Sequence, residues 1–397
     1  WNWVSEIQRF APSLQTRIHS GPERRDKAFA DLAAVDLVIT SYGLVRQDID
    51  LLRGVSWDLL VLDEAQAIKN PAAKISTEVR TLAASNRLAL TGTPIENRPM
   101  DLWSLFDFLM PGFLGDKVAF KETYEQGGRD SLTRLGTLTA PFILRRMKKQ
   151  VCRELPSKTE VTLYSDFTPE QRARYDEILM VGKEQLTGPG ETSPSGGSAS
   201  VQILTVLLRL RQTACHPALV PAAAPYHGTS GKFEAILETA LEILAGGYKI
   251  LIFSQFVAHL ELVKTMFDQH GIEHHRLYGS TTERKAVIEG FKHSDNPCVF
   301  LISLKTGGVG LNLTEAGYVF LLDPWWNPAT ENQAIDRCYR IGQENPVTVY
   351  RFITRDSVEE NVSRLKEGKK QIEKAVLEQG DWQDMQFSQE ELLELID

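Results

Sequence analysis

An α/β fold built as two parallel-sheet lobes is what this chain predicts, and three features predict it. Short, wholly apolar runs alternate with helix-patterned stretches near the N-terminus, a second set of such runs recurs towards the C-terminus, and a stretch rich in Gly, Pro and Ser separates the two. Four apolar residues in a row suit a strand buried on both faces of a parallel sheet, because helices cover each side. At 397 residues the chain is long enough for two substantial cores.

The elements follow in order. Leu37-Val38-Ile39, Leu59-Leu60-Val61-Leu62 and Leu88-Ala89-Leu90 are the expected strands of the first lobe, residues 1–156, with Pro71 to Leu82 as an intervening helix. Leu102, Leu105, Phe106 and Leu109 recur at helical spacing, so a helical insertion is placed at about 97–150. Residues 157–230 are read as a helical protrusion, with helices over Gln171–Lys183 and Val201–Gln212. Between them, residues 184–200 hold too little apolar surface to offset the entropy of ordering and form a mobile loop. The second lobe, 231–397, carries strands at Ile250–Phe253, Val299–Ile302, Val319–Leu322 and Val347–Tyr350. Val358, Val362, Leu365, Ile372 and Val376 mark a long amphipathic helix that could brace the lobes, followed by a short acidic helix over Gln389–Asp397.

Composition narrows the class. Charged residues at 24% and hydrophobic ones at 42% suit a globular protein, and no apolar run approaches the roughly 20 residues that span a bilayer. Cys152, Cys215, Cys298 and Cys338 stand far apart, and their spacing supports neither a zinc motif nor a disulfide framework. The net charge of -8 argues mildly against nucleic-acid binding, yet Arg145, Arg146, Lys148 and Lys149 form a basic run that could contact phosphates. A solvated helix face is the plainer account of that run.

Chemistry is concentrated where Leu59–Leu62 ends in Asp63-Glu64-Ala65-Gln66. Ligands of parallel sheets sit at the carboxyl ends of strands, and two adjacent carboxylates there can face a metal-bound phosphate. Asp63 suits a hard cation such as magnesium; Glu64 suits orienting or deprotonating an attacking water. The alternative is a solvated acidic pair at a strand-to-loop junction. Near the C-terminus, Gln333, Arg337 and Arg340 fall at i, i+4 and i+7, one face of an expected helix that Gly342 would end. Two guanidinium groups aimed alike can stabilise charge on a transferred phosphoryl group. Leu90-Thr91-Gly92-Thr93-Pro94 is a strand running into a hydroxyl-bearing loop. His216, beside Pro217, is expected to be a packed or hydrogen-bonded histidine and not a ligand.

The ordered set resembles the Swi/Snf family of ATP-dependent DNA translocases in helicase superfamily two. The matching pieces are Ile39-Thr40-Ser41-Tyr42, Asp63-Glu64-Ala65-Gln66, Leu90-Thr91-Gly92-Thr93-Pro94, Ile252-Phe253-Ser254-Gln255-Phe256, Thr306-Gly307-Gly308-Val309-Gly310, Asp323-Pro324-Trp325-Trp326-Asn327-Pro328 and the Gln333–Gln343 segment. The resemblance implies two RecA-like lobes hydrolysing ATP with magnesium and gripping double-stranded DNA, with RNA polymerase or another DNA-bound protein as a further expected partner. It implies a bacterial, cytoplasmic and nucleoid-associated setting. Asp63, Glu64, Arg337 and Arg340 would be catalytic, with Asp63 on the metal; Gly308, Gly310 and Gln343 would touch the nucleotide. Gln66, Thr91 and Thr93 would couple hydrolysis to movement, and Thr40, Ser41, Ser254, Thr306, Lys148 and Lys149 would contact DNA. At least one of Trp325 and Trp326 is expected in the core. Such motors need a glycine-rich loop ending in Gly-Lys-Ser/Thr. This sequence has none; in the nearest candidate, Gly231-Lys232 is followed by Phe233. The first lobe is accordingly expected to be truncated at its N-terminus and the chain inactive alone, with a non-enzymatic DNA- or polymerase-binding scaffold as the alternative.

Overall fold

The computed structural model describes residues 2–25, 32, 34–92, 99–125, 129–146, 148–152, 154–187, 199–221, 226–307, 311–325 and 328–364. Among these, one compact unit runs to Arg145 and a second begins at Arg146, earlier than the expected boundary at Pro156.

The first unit carries two separate parallel pairs. β1 (Thr16–Ile18) pairs with β2 (Leu37–Ile39), and β3 (Trp57–Leu62) with β4 (Ala84–Ala89). Leu62, Ala65, Ile68, Val79 and Leu82 pack with Leu105 and Phe108 of helix Pro99–Leu109 into one core. The expectation that Leu59–Leu62 is buried on both faces is corrected: Leu59 is 53% exposed, Val61 42% and Leu88 46%. Side chains alternate across a strand, so one face of the β3–β4 pair is packed and the other is an uncovered apolar surface. The helical insertion is present as Pro99–Leu109, Lys117–Phe120 and Arg129–Thr139, with Met100, Trp103, Phe106, Phe120 and Leu135 forming a small core.

The second unit is a six-stranded parallel sheet in the order β5-β10-β9-β6-β8-β7, where β5 is Lys158–Ser165, β6 Ile250–Ser254, β7 His274–Leu277, β8 Val299–Ser303, β9 Tyr318–Leu321 and β10 Val347–Thr354. Alternation divides its apolar runs between two cores. Leu251, Phe253, Phe300 and Ile302 pack on one face with Phe291 and Ile335, and Ile250, Ile252, Val299 and Leu301 pack on the other with Phe233, Leu260 and Phe267. β5 was not anticipated as a strand. Its exposed edge alternates Glu160, Val161, Thr162 and Leu163, a weak signal that becomes a strand through full-length pairing with β10.

Helices Pro169–Thr187 and Ala199–Cys215 pack through Tyr175, Ile203, Val206, Leu207 and Leu210, joined there by Val358 and Val362. Helix Gly231–Ala245 is capped by Ser230, whose hydroxyl accepts from the Phe233 amide. A Cβ at Gly231 would lie 2.0 Å from the Asp166 carbonyl oxygen, so this glycine serves a close backbone approach. The expected loop at 184–200, the bracing helix beyond Arg364 and the acidic tail lie largely or wholly outside the described residues.

Candidate functional site

β3 delivers Asp63 and Glu64 to its carboxyl end, and the local backbone sets both. Glu64 has φ +49°, a left-handed conformation that costs a non-glycine residue about 1 kcal/mol or more. Its amide donates to Asp63 Oδ1 at 2.9 Å, and its Oε2 accepts from Gln66 Nε2 at 2.7 Å. Asp63 Oδ2 accepts from the Trp3 indole at 2.8 Å, and the Asp63 carbonyl accepts from the Tyr42 hydroxyl at 2.8 Å. Burial, and then the charges of Asp63 and Glu64, push the Tyr42 phenol up, so it remains a donor.

β4 brings the next loop alongside. The Leu90 amide donates to the Leu62 carbonyl and the Ala65 amide to the Leu90 carbonyl. Thr91 therefore sits beside Gln66 and donates its hydroxyl to Gln66 Oε1 at 2.8 Å. Glu64, Gln66 and Thr91 form one hydrogen-bonded line; Thr93, also expected in coupling, lies outside the described residues. Trp3 and Tyr42 were missed. Tyr42 was within a quoted motif but its partner is a backbone carbonyl, and Trp3 lies in the family-like segment Trp1–Glu6, where nothing in the spacing ties it to Asp63.

Thr40 and Ser41 serve the fold as well as any surface. Thr40 donates to the His19 carbonyl at 3.1 Å, and exposed Ser41 caps helix Tyr42–Gln47 by accepting from the Leu44 amide.

In the second unit several expectations change. Helix Pro328–Ile335 stops before both arginines, so Arg337 and Arg340 do not share a helix face. The chain tightens into turns, with the Arg337 amide on the Ala334 carbonyl and the Arg340 amide on that of Cys338, and Gly342 takes φ +98°. Arg337 is 7% exposed, whereas Arg340 is half-buried and donates to the Leu311 carbonyl at 3.3 Å. Arg340 thus has the more accessible guanidinium. Gln343, expected at the nucleotide, is 5% exposed and fully engaged: Nε2 donates to the Ala316 and Cys338 carbonyls, and Oε1 accepts from the Asn345 amide. It staples this turn to the sheet.

Two expected DNA contacts are also enclosed. Ser254 is fully buried, donating to Asp323 and accepting from the Phe256 amide, and Thr306 is 6% exposed and accepts from Ser303. Their hydroxyls position loops instead of meeting an outside phosphate. Lys148 stays partly exposed but is engaged, its ammonium 2.5 Å from Asp336 Oδ1 and 3.1 Å from the Tyr339 carbonyl. Gly308, Gly310, Trp326 and the Lys149 side chain lie outside the described residues, and Trp325 packs against the core. His216 is a packed histidine whose Nδ1 accepts from the Ala218 amide; burial lowers its pKa to about 4.

Lys232 completes the account of the Gly-Lys-Phe segment. Its ammonium is wholly buried, 2.7 and 2.6 Å from the Glu359 oxygens and 2.9 Å from the Leu322 carbonyl, so it is a core ion pair and not a phosphate ligand.

An acidic pair at a parallel-strand end, linked by hydrogen bonds to the loop of the next strand, is an arrangement chemically suited to a metal-bound phosphate. The chain belongs to the SNF2-related family: residues 1–219 match the SNF2-related domain and residues 231–342 the helicase conserved C-terminal domain. It is 38% identical over 99% of its length to the putative ATP-dependent helicase/translocase YwqA of Bacillus subtilis, covering 44% of that protein. It is 38% identical over 94% of its length to an uncharacterized ATP-dependent helicase of Mycoplasma pneumoniae, covering 35% of it. The mouse SWI/SNF-related matrix-associated actin-dependent regulator of chromatin subfamily A member 1 is 34% identical over 100% of the chain, which covers 39% of that protein. The chain thus spans less than half the length of these relatives. A solved structure, the Sulfolobus solfataricus SWI2/SNF2 ATPase core in complex with dsDNA, is 35% identical, with a TM-score of 0.49 over 100% of this chain and 84% of that one. Among the described residues no helix is long and apolar enough to cross a membrane.

Proposed function

We propose that this chain forms part of an ATP-dependent double-stranded DNA translocase or remodeller. The observation that carries the reading is the line Glu64–Gln66–Thr91, which links a strand-end carboxylate to the loop after the neighbouring strand. A change at the nucleotide can pass along it into the backbone. Membership of a family whose relatives are named ATP-dependent helicases supports ATP as the nucleotide.

Residues of both units carry roles in this reading. Asp63, exposed and with a lone pair left on each carboxylate oxygen after its bonds to Trp3 and Glu64, fits a magnesium ion that would neutralise phosphate charge. Glu64 orients or deprotonates the attacking water. Arg340 stabilises charge on the transferred phosphoryl group, and Arg337 supports the turn that presents it. Thr40 and Ser41 lie on a β2-to-helix turn available to a DNA backbone.

A scaffold reading rests on one specific fact, the absence of any Gly-Lys-Ser/Thr loop in these 397 residues. The test is DNA-stimulated ATP hydrolysis by this chain alone and with a loop-bearing first-lobe segment supplied, each against Glu64→Gln. The translocase reading expects activity only with the segment and its loss in Glu64→Gln. No gain from the segment would favour the scaffold.

A further inference from the structure

We propose that Cys215, His259 and Asp323 form a buried binding site for a zinc-class transition-metal ion, tying the carboxyl ends of β6 and β9 to helix Ala199–Cys215. Their ligand atoms, one sulfur, one ring nitrogen and one carboxylate oxygen, all lie within 4.8 Å of one another. Exposures are 0%, 0% and 1%. Zinc bonds of about 2.0–2.3 Å place neighbouring ligand atoms about 3.3–3.8 Å apart in a tetrahedron, so side-chain shifts of about 1 Å close the set.

The independent sign is His259. It is wholly buried in the first turn of helix Val257–Gln269, and among the described residues neither Nδ1 nor Nε2 has a hydrogen-bond partner. A buried imidazole with both nitrogens unmet forfeits its hydration without return, and such an orphan asks for an ion or an enclosed water. Its ring is already fixed by stacking on Phe233, with centroids 5.7 Å apart.

The other two ligands are held from behind. Asp323 accepts from the Ser254 hydroxyl and the Gln255 amide, leaving acceptor capacity on its carboxylate. Cys215 lies 4.0 Å from the Lys232 ammonium, which can donate to a thiolate; its thiol now donates to Glu359 Oε1 at 3.4 Å, a proton it would give up on binding the ion. Lys232 is itself neutralised by Glu359, so it does not face the ion as an unpaired cation. Supporting hydrogen bonds of this kind orient metal ligands and tune their basicity. With no solvent-exposed member, the ion would enter during folding and stabilise the second unit. The three residues come from widely separated segments, which is why cysteine spacing gave no warning of them.

Dialysis of the chain against Co2+ or Zn2+, followed by metal analysis, should leave one equivalent bound. The Co2+ form should show thiolate-to-metal charge transfer in the near ultraviolet and tetrahedral d–d bands. Cys215→Ala and His259→Phe should both abolish the spectrum and weaken binding at least about a hundred-fold. Cys298→Ala should retain it, although Glu273, His275 and Cys298 form a second, partly exposed group. Zn2+ should also raise the melting temperature of the wild-type chain and not of His259→Phe, which fills the same space and decides the matter if Cys215→Ala fails to fold. Metal well under one equivalent, or a spectrum that survives His259→Phe or is lost in Cys298→Ala, would overturn the proposal in favour of an enclosed water or the other group.

Discussion

The Lys148 ammonium grips the turn that carries both arginines: it is 2.5 Å from Asp336 Oδ1 and 3.1 Å from the Tyr339 carbonyl, bracketing Arg337. Lys148 stands three residues after the boundary of the first unit at Arg145, so the start of the second unit is fastened to its arginine segment. Both side chains are over 40% exposed, and such a pair is worth only about 0.2–1 kcal/mol. A double-mutant cycle on Lys148→Ala and Asp336→Ala should return a coupling in that range by urea unfolding. Because this lysine is engaged, Lys148→Ala alone should change the salt slope of duplex binding by about half a unit or less, where a free phosphate contact would remove about one. A full unit lost would restore Lys148 as a DNA contact.

For the arginines, the measured quantity is turnover in protein that carries a phosphate loop. Arg340→Ala should lower it by roughly a thousand-fold while leaving duplex affinity nearly unchanged. Arg337→Ala, at a 7% exposed site, should also lower the melting temperature. If Arg340→Ala instead lost DNA binding with turnover largely kept, the finger role would pass from it to the DNA surface.

The Glu64–Gln66–Thr91 line makes a sharper prediction about coupling. Gln66→Ala and Thr91→Val each cut it at one hydrogen bond. Each should reduce DNA stimulation more than basal hydrolysis, and the double variant should be no worse than the poorer single one, since both break the same path. Additive losses would show two independent roles.

Lys232 and Glu359 test the core of the second unit. Lys232→Met leaves a fully buried carboxylate unpaired and should cost about 3–5 kcal/mol in urea unfolding. Adding Glu359→Leu should recover at least half of that loss. A double variant worse than the single one would show that the Glu359 bonds to the Thr354 amide and Cys215 outweigh the pair.

Stability should fall with acid through the buried histidines. Burial lowers His216 from 6.5 to about 4 and drives His259 well below its ordinary value. Between pH 7 and 5 the unfolded chain takes up protons that the folded chain refuses, so each contributes a loss approaching about 1.4 kcal/mol per pH unit below 6.5. The loss ends as pH drops through the folded value. His216→Asn, which can still accept from the Ala218 amide, should remove one proton's share of the slope. Parallel curves for the two proteins would contradict the assignment.

Sequence by itself determined the strands whose residues are apolar throughout: Ile250–Phe253, Val299–Ile302 and Val319–Leu322 are buried because such runs have no polar face to offer water. It also located Asp63, Glu64, Gln66 and Thr91, since a strand's end is a position that order along the chain specifies. What it could not determine depends on neighbours. The 3.6-residue period put Arg337 and Arg340 on one helix, but the chain is recruited into turns stapled by Gln343 and Lys148, contacts from outside the period. Leu59 and Val61 read as buried, yet burial belongs to whatever packs on the second face. Ser254, Asp323, Cys215 and His259 are brought together only by the sheet and its helices, because side-chain proximity across distant segments is decided by packing and leaves no trace in spacing.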